Sequence, residues 1–456
     1  MLKYFAFKNF GCFAEDELDE TGEGFHVFTM EATRERIHGE RLPHVGRQRL
    51  LPVSAIYGAN ASGKSTLIDA LEVLRSILVE TRNPKEPLPV RPHELYGRQS
   101  PTEFEISFVV SRPSAYDAER GHDEWNLVYR LAADRSCVHR ESLTRVRTRD
   151  EVYLFERDGN RVELFDDLAE SKKAVALSEI IGEKEVFLSS LARVVGDTAP
   201  AGATIQNAFD WFAKQLIIVR PQSLYIPLPY RLSKDDVFRD AINEHLSTAD
   251  TGISELRTEP TWAIDPQEIL GSLPESALDE VRNGNRTILI HEPAAGLLVS
   301  ADSSGELVVE TVVAVHNQGA EGSFSLPLSR ESDGTIRFVN LLPILLDFVA
   351  KDSNSVFVID ELENSLHPNL TGSILAGLLD SCTADSRVQL IITTHEVQLM
   401  AADLLRRDEI WLVTKDKTGK SSMARVSDYA DQGVREGADL LRIYTSGRID
   451  GVPREV

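Results

Sequence analysis

The stretch "GANASGKS", residues 58–65, decides the fold of this chain, because it matches the phosphate-loop pattern G-x-x-x-x-G-K-[ST]. The apolar run "LLPVSAIY" at 50–57 precedes it and predicts a strand. Leucines at helical spacing from Leu67 to Leu78 follow it and predict a helix. Strand, glycine-rich loop and helix are the context that a phosphate loop requires. A glycine- and serine-rich turn formed by coincidence would not explain both flanks.

The chemistry of this loop follows from its residue types. Glycines let the backbone curl so that its N–H groups point at phosphate oxygens, and the helix start adds positive potential. Lys64 is predicted to bridge the β and γ phosphates, and Ser65 to bind Mg²⁺. The predicted ligands of the loop are therefore the phosphates of a nucleoside triphosphate and Mg²⁺. The predicted nucleotide-binding residues of the loop are Gly58, Asn60, Gly63, Lys64, Ser65 and Thr66.

Two later segments supply the remaining polar groups. "VFVIDE", residues 356–361, is an apolar strand that ends in two carboxylates. Asp360 is predicted to hold the metal, and Glu361 to orient and partly deprotonate the attacking water. "LIITTHE", residues 390–396, places His395 just beyond another buried strand, where open α/β sheets gather their ligands. We expect His395 to sense the γ phosphate by hydrogen bonding, although an isolated histidine at such a place is more often structural.

The order of elements predicts an α/β fold with a long interruption. Residues 103–150 read as an antiparallel sheet, 167–250 as mostly helical and 285–328 as strands, and from 329 helices and strands alternate as in parallel βαβ units. We expect a phosphate-loop NTPase with an antiparallel β subdomain and a mainly helical insertion. The predicted parts are 1–84, the first half of the ATPase domain; 85–328, the β subdomain and insertion; and 329–456, the second half.

Composition narrows the class of protein. The chain has 456 residues, and 49 Lys and Arg against 72 Asp and Glu give a net charge of -23. This charge does not indicate nucleic-acid binding, although a local basic patch is compatible with it. Three widely spaced cysteines support neither a disulfide framework nor a zinc site. We expect no secretion signal and no membrane span, and therefore a cytoplasmic protein.

One basic segment has two interpretations. "LTRVRTRD", residues 143–150, places Arg145, Arg147 and Arg149 on one face of a predicted strand. A solvated face is favoured over a contact with nucleic acid or with a partner protein.

The motifs in this order resemble those of ABC-type ATPases of the AAA family, and within them the SMC and RecF-like branch. The resemblance rests on the phosphate loop, "ESDGT" at 331–335, "IDELENSLHP" at 359–368 and "TTHE" at 393–396. More narrowly, the chain resembles bacterial ATPases related to the overcoming-lysogenization-defect proteins and to the ATPase subunits of PARIS-type phage defence. The ending "YTSGRIDGVP" at 444–453 is similar to the closing pattern of that group.

This resemblance implies a head-to-tail homodimer with two shared ATP sites. In ABC-type ATPases the segment that corresponds to Ser332, Gly334 and Thr335 contacts the γ phosphate of ATP held by a second subunit. Ser365–Pro368 corresponds to the D-loop, which crosses the dimer interface. Here Asp333, Gly334 and Thr335 stand where the family signature has a double glycine. Gln99 is the candidate for the Q-loop, whose position the sequence does not settle.

Two functional hypotheses follow from the resemblance. The first is a dimeric ATP-hydrolysing switch in anti-phage defence that controls a separate effector, such as a Toprim-like nuclease. We expect that nuclease to be a separate chain, because the residues after His395 show no Asp-x-Asp pair. The alternative is a DNA-repair or chromosome-maintenance ATPase of the RecF/SMC type, which the acidic charge and the lack of heptads disfavour. The motor of a membrane transporter is a third and weaker reading.

Overall fold

A computed structural model describes most of the chain and divides it into two compact units. The described residues are 1–16, 22–83, 85–111, 124–147, 150–196, 200–249, 251–261, 265–284, 286–290, 296–302, 304–317, 322–401, 404–432, 434, 438–447 and 449. The first unit comprises Met1–Val219, Lys351–Leu362 and Gly372–Val456, and the second comprises Arg220–Ala350 and Glu363–Thr371.

The helices and strands are numbered separately along the chain. The strands are β1 Leu2–Lys8, β2 His26–Thr29, β3 His44–Val45, β4 Gln48–Arg49, β5 Val53–Tyr57, β6 Thr102–Ser111, β7 Glu124–Ala133, β8 Val138–Arg147, β9 Asp150–Asp158, β10 Arg161–Leu164, β11 Leu216–Val219, β12 Ile253–Pro260, β13 Ile288–Ile290, β14 Leu297–Ala301, β15 Leu307–Asn317, β16 Ser323–Pro327, β17 Val356–Ile359, β18 Gln389–Thr393, β19 Ile410–Lys415 and β20 Ser421–Arg425. The helices are α1 Lys64–Val79, α2 Lys172–Ile180, α3 Phe187–Val194, α4 Pro200–Asp210, α5 Leu228–Lys234, α6 Asp236–Thr248, α7 Pro266–Gly271, α8 Glu275–Arg282, α9 Asp333–Val349, α10 Pro368–Ser381 and α11 Leu440–Thr445.

The first unit is built on a six-stranded sheet in the order β11-β17-β18-β5-β19-β20. Neighbouring strands from β11 to β19 are parallel, and only β20 runs antiparallel to its neighbour β19. Every residue of β5, β17 and β18 is buried, as expected for the centre of a parallel sheet. Because β18 lies between β17 and β5, the segments that follow these three strands leave the sheet side by side.

A second sheet of the first unit is antiparallel, in the order β10-β9-β8-β7-β6-β1-β2. Strand β6 alternates as its sequence predicts, with Phe104 and Ile106 buried and Glu103 and Glu105 partly exposed. One hydrophobic core joins residues of this sheet, of helix α1 and of the six-stranded sheet. The helix that follows the phosphate loop is therefore held by apolar packing to both sheets of its unit.

The second unit contains the long strand β15, which pairs with β12 on one side and with β14 and then β16 on the other. Helices α5, α6, α7, α8 and α9 belong to the same unit. Helix α9 is 17 residues long and largely buried from Arg337 onward. Pro343 lies inside this helix, where its ring removes one backbone N–H donor.

The topology confirms the expected fold class, an α/β fold with a phosphate loop after a central parallel strand and with an antiparallel β subdomain. Two local expectations were wrong. Residues 216–219, within the stretch expected to be helical, form strand β11 at the edge of the six-stranded sheet. In the described residues between β18 and β19, where a helix was expected, helical structure is limited to 3-10 turns at Val397–Met400 and Arg407–Glu409.

The expectation of a solvated arginine face on β8 was also wrong for Arg145. Only 4% of Arg145 is exposed, and its guanidinium lies 4.3 Å from the centre of the Trp125 ring. A cation over an aromatic face explains how the charge is accommodated in a buried position. The side chain of Arg147 and the whole of Arg149 lie outside the described residues. Across the part of the chain that the structure covers, no helix combines the length and the apolar character needed to cross a membrane.

Candidate nucleotide site

The phosphate loop runs from the end of β5 to the first residues of α1, as the sequence predicts. The Lys64 ammonium is buried and donates to the carbonyl oxygens of Gly58 at 2.8 Å and Ala59 at 3.3 Å. These contacts hold the lysine across the mouth of its own loop. A cation at this position, next to the free N–H groups of a helix start, makes the loop electropositive.

Glycine is required at Gly63 for conformation and for space. Its φ of 118° lies in the left-handed region, and a Cβ atom there would lie 2.9 Å from both Cys12 Sγ and Ser421 Oγ. Ser421 also donates its hydroxyl to the carbonyl of Ser62 at 2.6 Å, and its N–H donates to the carbonyl of Cys12 at 2.8 Å. Cys12 and Ser421 therefore pack against the loop backbone at Ser62 and Gly63. Neither residue belongs to a sequence motif, because each reaches the loop from a distant part of the chain.

The acidic pair Asp360 and Glu361 follows strand β17. Asp360 is 4% exposed, and its Oδ1 lies 3.3 Å from Ser65 Oγ and 2.6 Å from Thr393 Oγ1. The fold thus brings together two predicted metal ligands that are 295 residues apart in the sequence. Glu361 has a φ of 50°, which is uncommon for a residue with a side chain.

The segment "TTHE" continues from β18 between the strands of the phosphate loop and of the acidic pair. Thr394 donates its N–H to the carbonyl of Ile56 at 3.1 Å, and the Tyr57 hydroxyl donates to the carbonyl of Glu396 at 3.3 Å. His395 lies between these two anchored residues and is exposed. The predicted histidine is therefore placed at the same edge of the sheet as the phosphate loop and the acidic pair.

The predicted signature residues and the predicted D-loop both belong to the second unit. Ser332 caps helix α9, with its Oγ accepting from the N–H of Thr335 at 3.2 Å and lying 2.9 Å from Thr335 Oγ1. A Cβ atom on Gly334 would lie 2.5 Å from the carbonyl oxygen of Ser365. Ser365 itself has a φ of 61°. The structure thus brings the signature and the D-loop into direct contact, and only glycine leaves room for that approach.

The residues present fit a magnesium nucleotide. Ser65 Oγ and Asp360 Oδ1 are hard oxygen donors, which Mg²⁺ prefers. Adjacent ligands of an octahedral Mg²⁺ lie about 3.0 Å apart when each is ~2.1 Å from the ion, and these two oxygens are 3.3 Å apart. At Gly58 a Cβ atom would lie 2.3 Å from the carbonyl oxygen of Val413, so only glycine lets the loop backbone follow this path. Asn60 and Thr66 belong to the same loop and helix start, and Gln99 is an exposed residue of another loop.

Comparison with known proteins finds a matching family model and similar solved structures. A family model described as "AAA domain, putative AbiEii toxin, Type IV TA system" matches residues 53–401, which include every predicted site residue. Among solved structures, the SMC head domain from Thermotoga maritima is similar at 13% identity and a TM-score of 0.34. That match covers 93% of this chain and 98% of the other. A search of curated proteins finds no match.

Proposed function

The chain belongs to the family of AAA domains whose model matches residues 53–401, and on this premise we propose that it binds ATP with Mg²⁺ and hydrolyses it. The observation that carries the proposal is the 3.3 Å approach of Asp360 Oδ1 to Ser65 Oγ. A phosphate loop alone indicates nucleotide binding, whereas a loop serine beside a buried carboxylate indicates a site for the metal that accompanies ATP.

The roles of the side chains follow from their positions. Mg²⁺, when bound with ATP, neutralises the charge that develops on the phosphate oxygens. Lys64 would hold the β and γ phosphates, and Ser65 and Asp360 would hold the metal. Glu361 follows Asp360 directly and would orient the attacking water and accept its proton. His395, exposed at the same edge of the sheet, would donate a hydrogen bond to the γ phosphate.

The proposed hydrolysis is tested with Lys64→Ala and Glu361→Gln. We expect Lys64→Ala to lose ATP binding, because its ammonium is the fixed cation of the loop. We expect Glu361→Gln to bind ATP normally and to hydrolyse it ~10²–10⁴-fold more slowly, the usual loss when a general base is removed. Equilibrium binding and steady-state phosphate release measure the two effects separately.

Lys184→Ala is the matched control for the lysine variant. Its ammonium also donates to a backbone carbonyl, that of Glu86 at 3.1 Å, but it lies outside the loop. ATP binding and hydrolysis should be unchanged in this control. High-affinity ATP binding by Lys64→Ala would contradict the assignment of the phosphate loop. Unchanged turnover in Glu361→Gln would remove Glu361 as the base.

The proposal extends to a dimer that ATP closes. Ser332 and Asp333 are exposed at the start of the 17-residue helix α9. Backbone N–H groups at a helix start suit an anion, and exposure leaves them accessible to a phosphate held by another copy of the chain. The resemblance to ABC-type ATPases supports the same arrangement, with ATP shared between the loop of one copy and the signature of its partner.

We place this ATPase in anti-phage defence, where closure of the dimer would control a separate effector such as a Toprim-like nuclease. The support is the resemblance of the sequence to phage-defence ATPases and the matched family's description, which names a toxin of a type IV TA system. Some phages should form fewer plaques on lawns of cells that carry the gene and its neighbours, and Glu361→Gln should remove that protection. Equal plating would contradict the defence role. Salt-dependent binding of duplex DNA without a partner would instead favour the repair ATPase.

A further inference from the structure

Thr393, the last residue of β18, contacts three successive residues of the acidic segment. Its Oγ1 lies 2.6 Å from Asp360 Oδ1 and accepts the N–H of Glu361 at 2.8 Å. Its carbonyl oxygen accepts the N–H of Leu362 at 3.1 Å. The side chain is fully buried, so water does not compete for these hydrogen bonds.

The direction of the hydrogen bonds at this hydroxyl is determined by its neighbours. A hydroxyl has one proton to donate and lone pairs that accept. The Glu361 N–H can only donate, so Thr393 Oγ1 must accept there, and its single proton is directed to the Asp360 carboxylate. The Glu361 N–H, the Thr393 hydroxyl and Asp360 Oδ1 thus form one polarised chain of hydrogen bonds.

These hydrogen bonds link the carboxylate of Asp360, to which the metal is assigned, to the backbone N–H of Glu361, the residue to which the water is assigned. Asp360 Oδ1 is the same oxygen that lies 3.3 Å from Ser65 Oγ. Glu361 has a left-handed φ of 50°, a conformation that persists in a non-glycine residue only when surrounding contacts hold it. The hydroxyl of Thr393 supplies one such contact at the Glu361 N–H.

Strand β18, which carries Thr393, is held between two neighbouring strands of the sheet. Thr393 pairs with Ile56 of β5, the strand that leads into the phosphate loop, while β17 lies on the other side of β18. The next residue but one is His395. Thr393 therefore lies between the phosphate loop and the acidic pair, and its β-branched side chain has few rotamers through which to misplace the hydroxyl.

We propose that Thr393 is a positioning residue of the ATPase site, which sets the orientation of the Asp360 carboxylate and holds the backbone of Glu361. The inference rests on the proposed function, since the reaction it serves is ATP hydrolysis. Thr393 acts through Asp360 and Glu361 and has no direct part in bond cleavage.

The test uses three variants of one strand end. Thr393→Val keeps the shape and removes both hydrogen bonds of the hydroxyl, whereas Thr393→Ser keeps the hydroxyl. Thr394→Val is the matched control, because Thr394 is equally buried and its hydroxyl accepts a neighbouring N–H, that of Glu396 at 2.9 Å. Thermal melts of the variants show whether each one folds.

Two measurements are made on each variant. Hydrogen exchange of the peptide that spans residues 360–362 reports the backbone contact without nucleotide. We expect about tenfold faster exchange there in Thr393→Val, since one net hydrogen bond is lost, and wild-type exchange in Thr393→Ser and Thr394→Val. Steady-state hydrolysis should show kcat lowered at least tenfold in Thr393→Val with an unchanged KM. ATP binding in EDTA should also be unchanged, because neither Lys64 nor the loop backbone is altered.

The outcomes separate this inference from the proposed function. Wild-type exchange at 360–362 together with wild-type kcat in a folded Thr393→Val overturns the inference and leaves the ATPase intact. Loss of activity in Thr393→Ser equal to that in Thr393→Val also overturns it, since the hydroxyl would then not be the essential group. A wild-type chain that binds ATP nowhere overturns the proposed function, and the inference falls with it.

Discussion

At the scale of single residues, Glu409 is a buried carboxyl that lies among charged neighbours near the start of β19. Its side chain accepts the N–H of Arg406 at 2.8 Å, and Arg406 itself forms a bidentate pair with Asp408 at 2.8 and 2.7 Å. The pKa of Glu409 is raised to about 8, chiefly by burial and in smaller part by the nearby Asp408 carboxylate, although the hydrogen bond from the Arg406 N–H and the charges of Arg406 and Arg41 act to lower it. This carboxyl therefore keeps its proton in the folded chain over a range in which an unfolded chain would lose it.

The pKa of Glu409 predicts that stability falls with rising pH. Below about pH 4.5 the carboxyl is protonated in both states and adds no pH dependence. Between there and pH 8 the unfolded state binds fewer protons, so this group lowers the free energy of unfolding by up to about 1.4 kcal/mol per pH unit. Glu409→Gln should flatten that slope in denaturant titrations from pH 5 to 8. Glu179→Gln, which changes an exposed carboxyl of α2, should keep the wild-type slope, and equal slopes for all three chains would contradict the prediction.

The sequence predicted those residues of the candidate site that belong to one short, continuous motif. A predicted strand followed by a fixed residue pattern identifies both the loop from Gly58 to Ser65 and the pair Asp360 and Glu361. Ser421 and Thr393 could not be found in this way. Ser421 reaches the loop from β20, and Thr393 acts through a hydroxyl whose partner lies 33 residues earlier. A threonine at a strand end is unremarkable in sequence until the neighbouring strand is known.

At the scale of elements, the start of α9 and the D-loop form one structure within the second unit. The carbonyl oxygen of Ser365 approaches Gly334 so closely that a Cβ atom would lie 2.5 Å away. The Ser332 cap fixes the first turn of the helix, because its Oγ accepts the Thr335 N–H. Because the two backbones are packed together, we expect a movement of one segment to displace the other.

Gly334→Ala tests this coupling between signature and D-loop. We expect the added methyl to displace the Ser365 carbonyl at a cost of roughly 1–3 kcal/mol. Cooperative ATP hydrolysis should fall, whereas ATP binding measured with isolated chains should be retained because the phosphate loop is in the other unit. Gly377→Ala in α10 is the control, since nothing lies within 4 Å of its Cβ position. Equal hydrolysis by both variants would show that the contact has no functional role.

Elements were predictable where periodicity was long and uninterrupted. The buried Leu67, Leu71, Leu74 and Leu78 of α1 and the alternation of β6 appear as the sequence indicated. Strand β11 was missed because "LIIV" is only four residues long and follows a helical stretch directly, so its type is set by pairing with β17. Arg145 was misplaced for a related reason. Alternation placed it on one face of β8, but only the fold shows Trp125 beside it.

At the scale of the whole molecule, the groups that the proposed ATP hydrolysis would use are divided between the two units. The first unit holds the phosphate loop, the acidic pair and His395, and the second holds the signature and the D-loop. In a symmetric dimer, each chain would give its first unit to one ATP and its second unit to the other. A chain that lacks either part should then be inactive by itself and able to complement a chain that lacks the other.

Mixing Lys64→Ala chains with Ser332→Arg chains tests that arrangement. Lys64→Ala keeps an intact signature, and Ser332→Arg keeps an intact loop but places a large cation at the exposed cap of α9. Each heterodimer assembles one intact site of two. Random assortment of an equal mixture makes half of the dimers heterodimers, so hydrolysis should recover to about a quarter of the wild-type rate.

The complementation result is decisive only when heterodimers are shown to form, which two different affinity tags on the chains allow. Each variant alone should remain near background, and a mixture of Lys64→Ala with Glu361→Gln should also stay there, because both changes damage the first unit and every site keeps one of them. Recovery with Ser332→Arg but not with Glu361→Gln would therefore place the signature and the phosphate loop of one working site on different chains. Verified heterodimers without recovery would instead mean that each chain completes its own site. The start of α9 would then contact the ATP bound by its own chain.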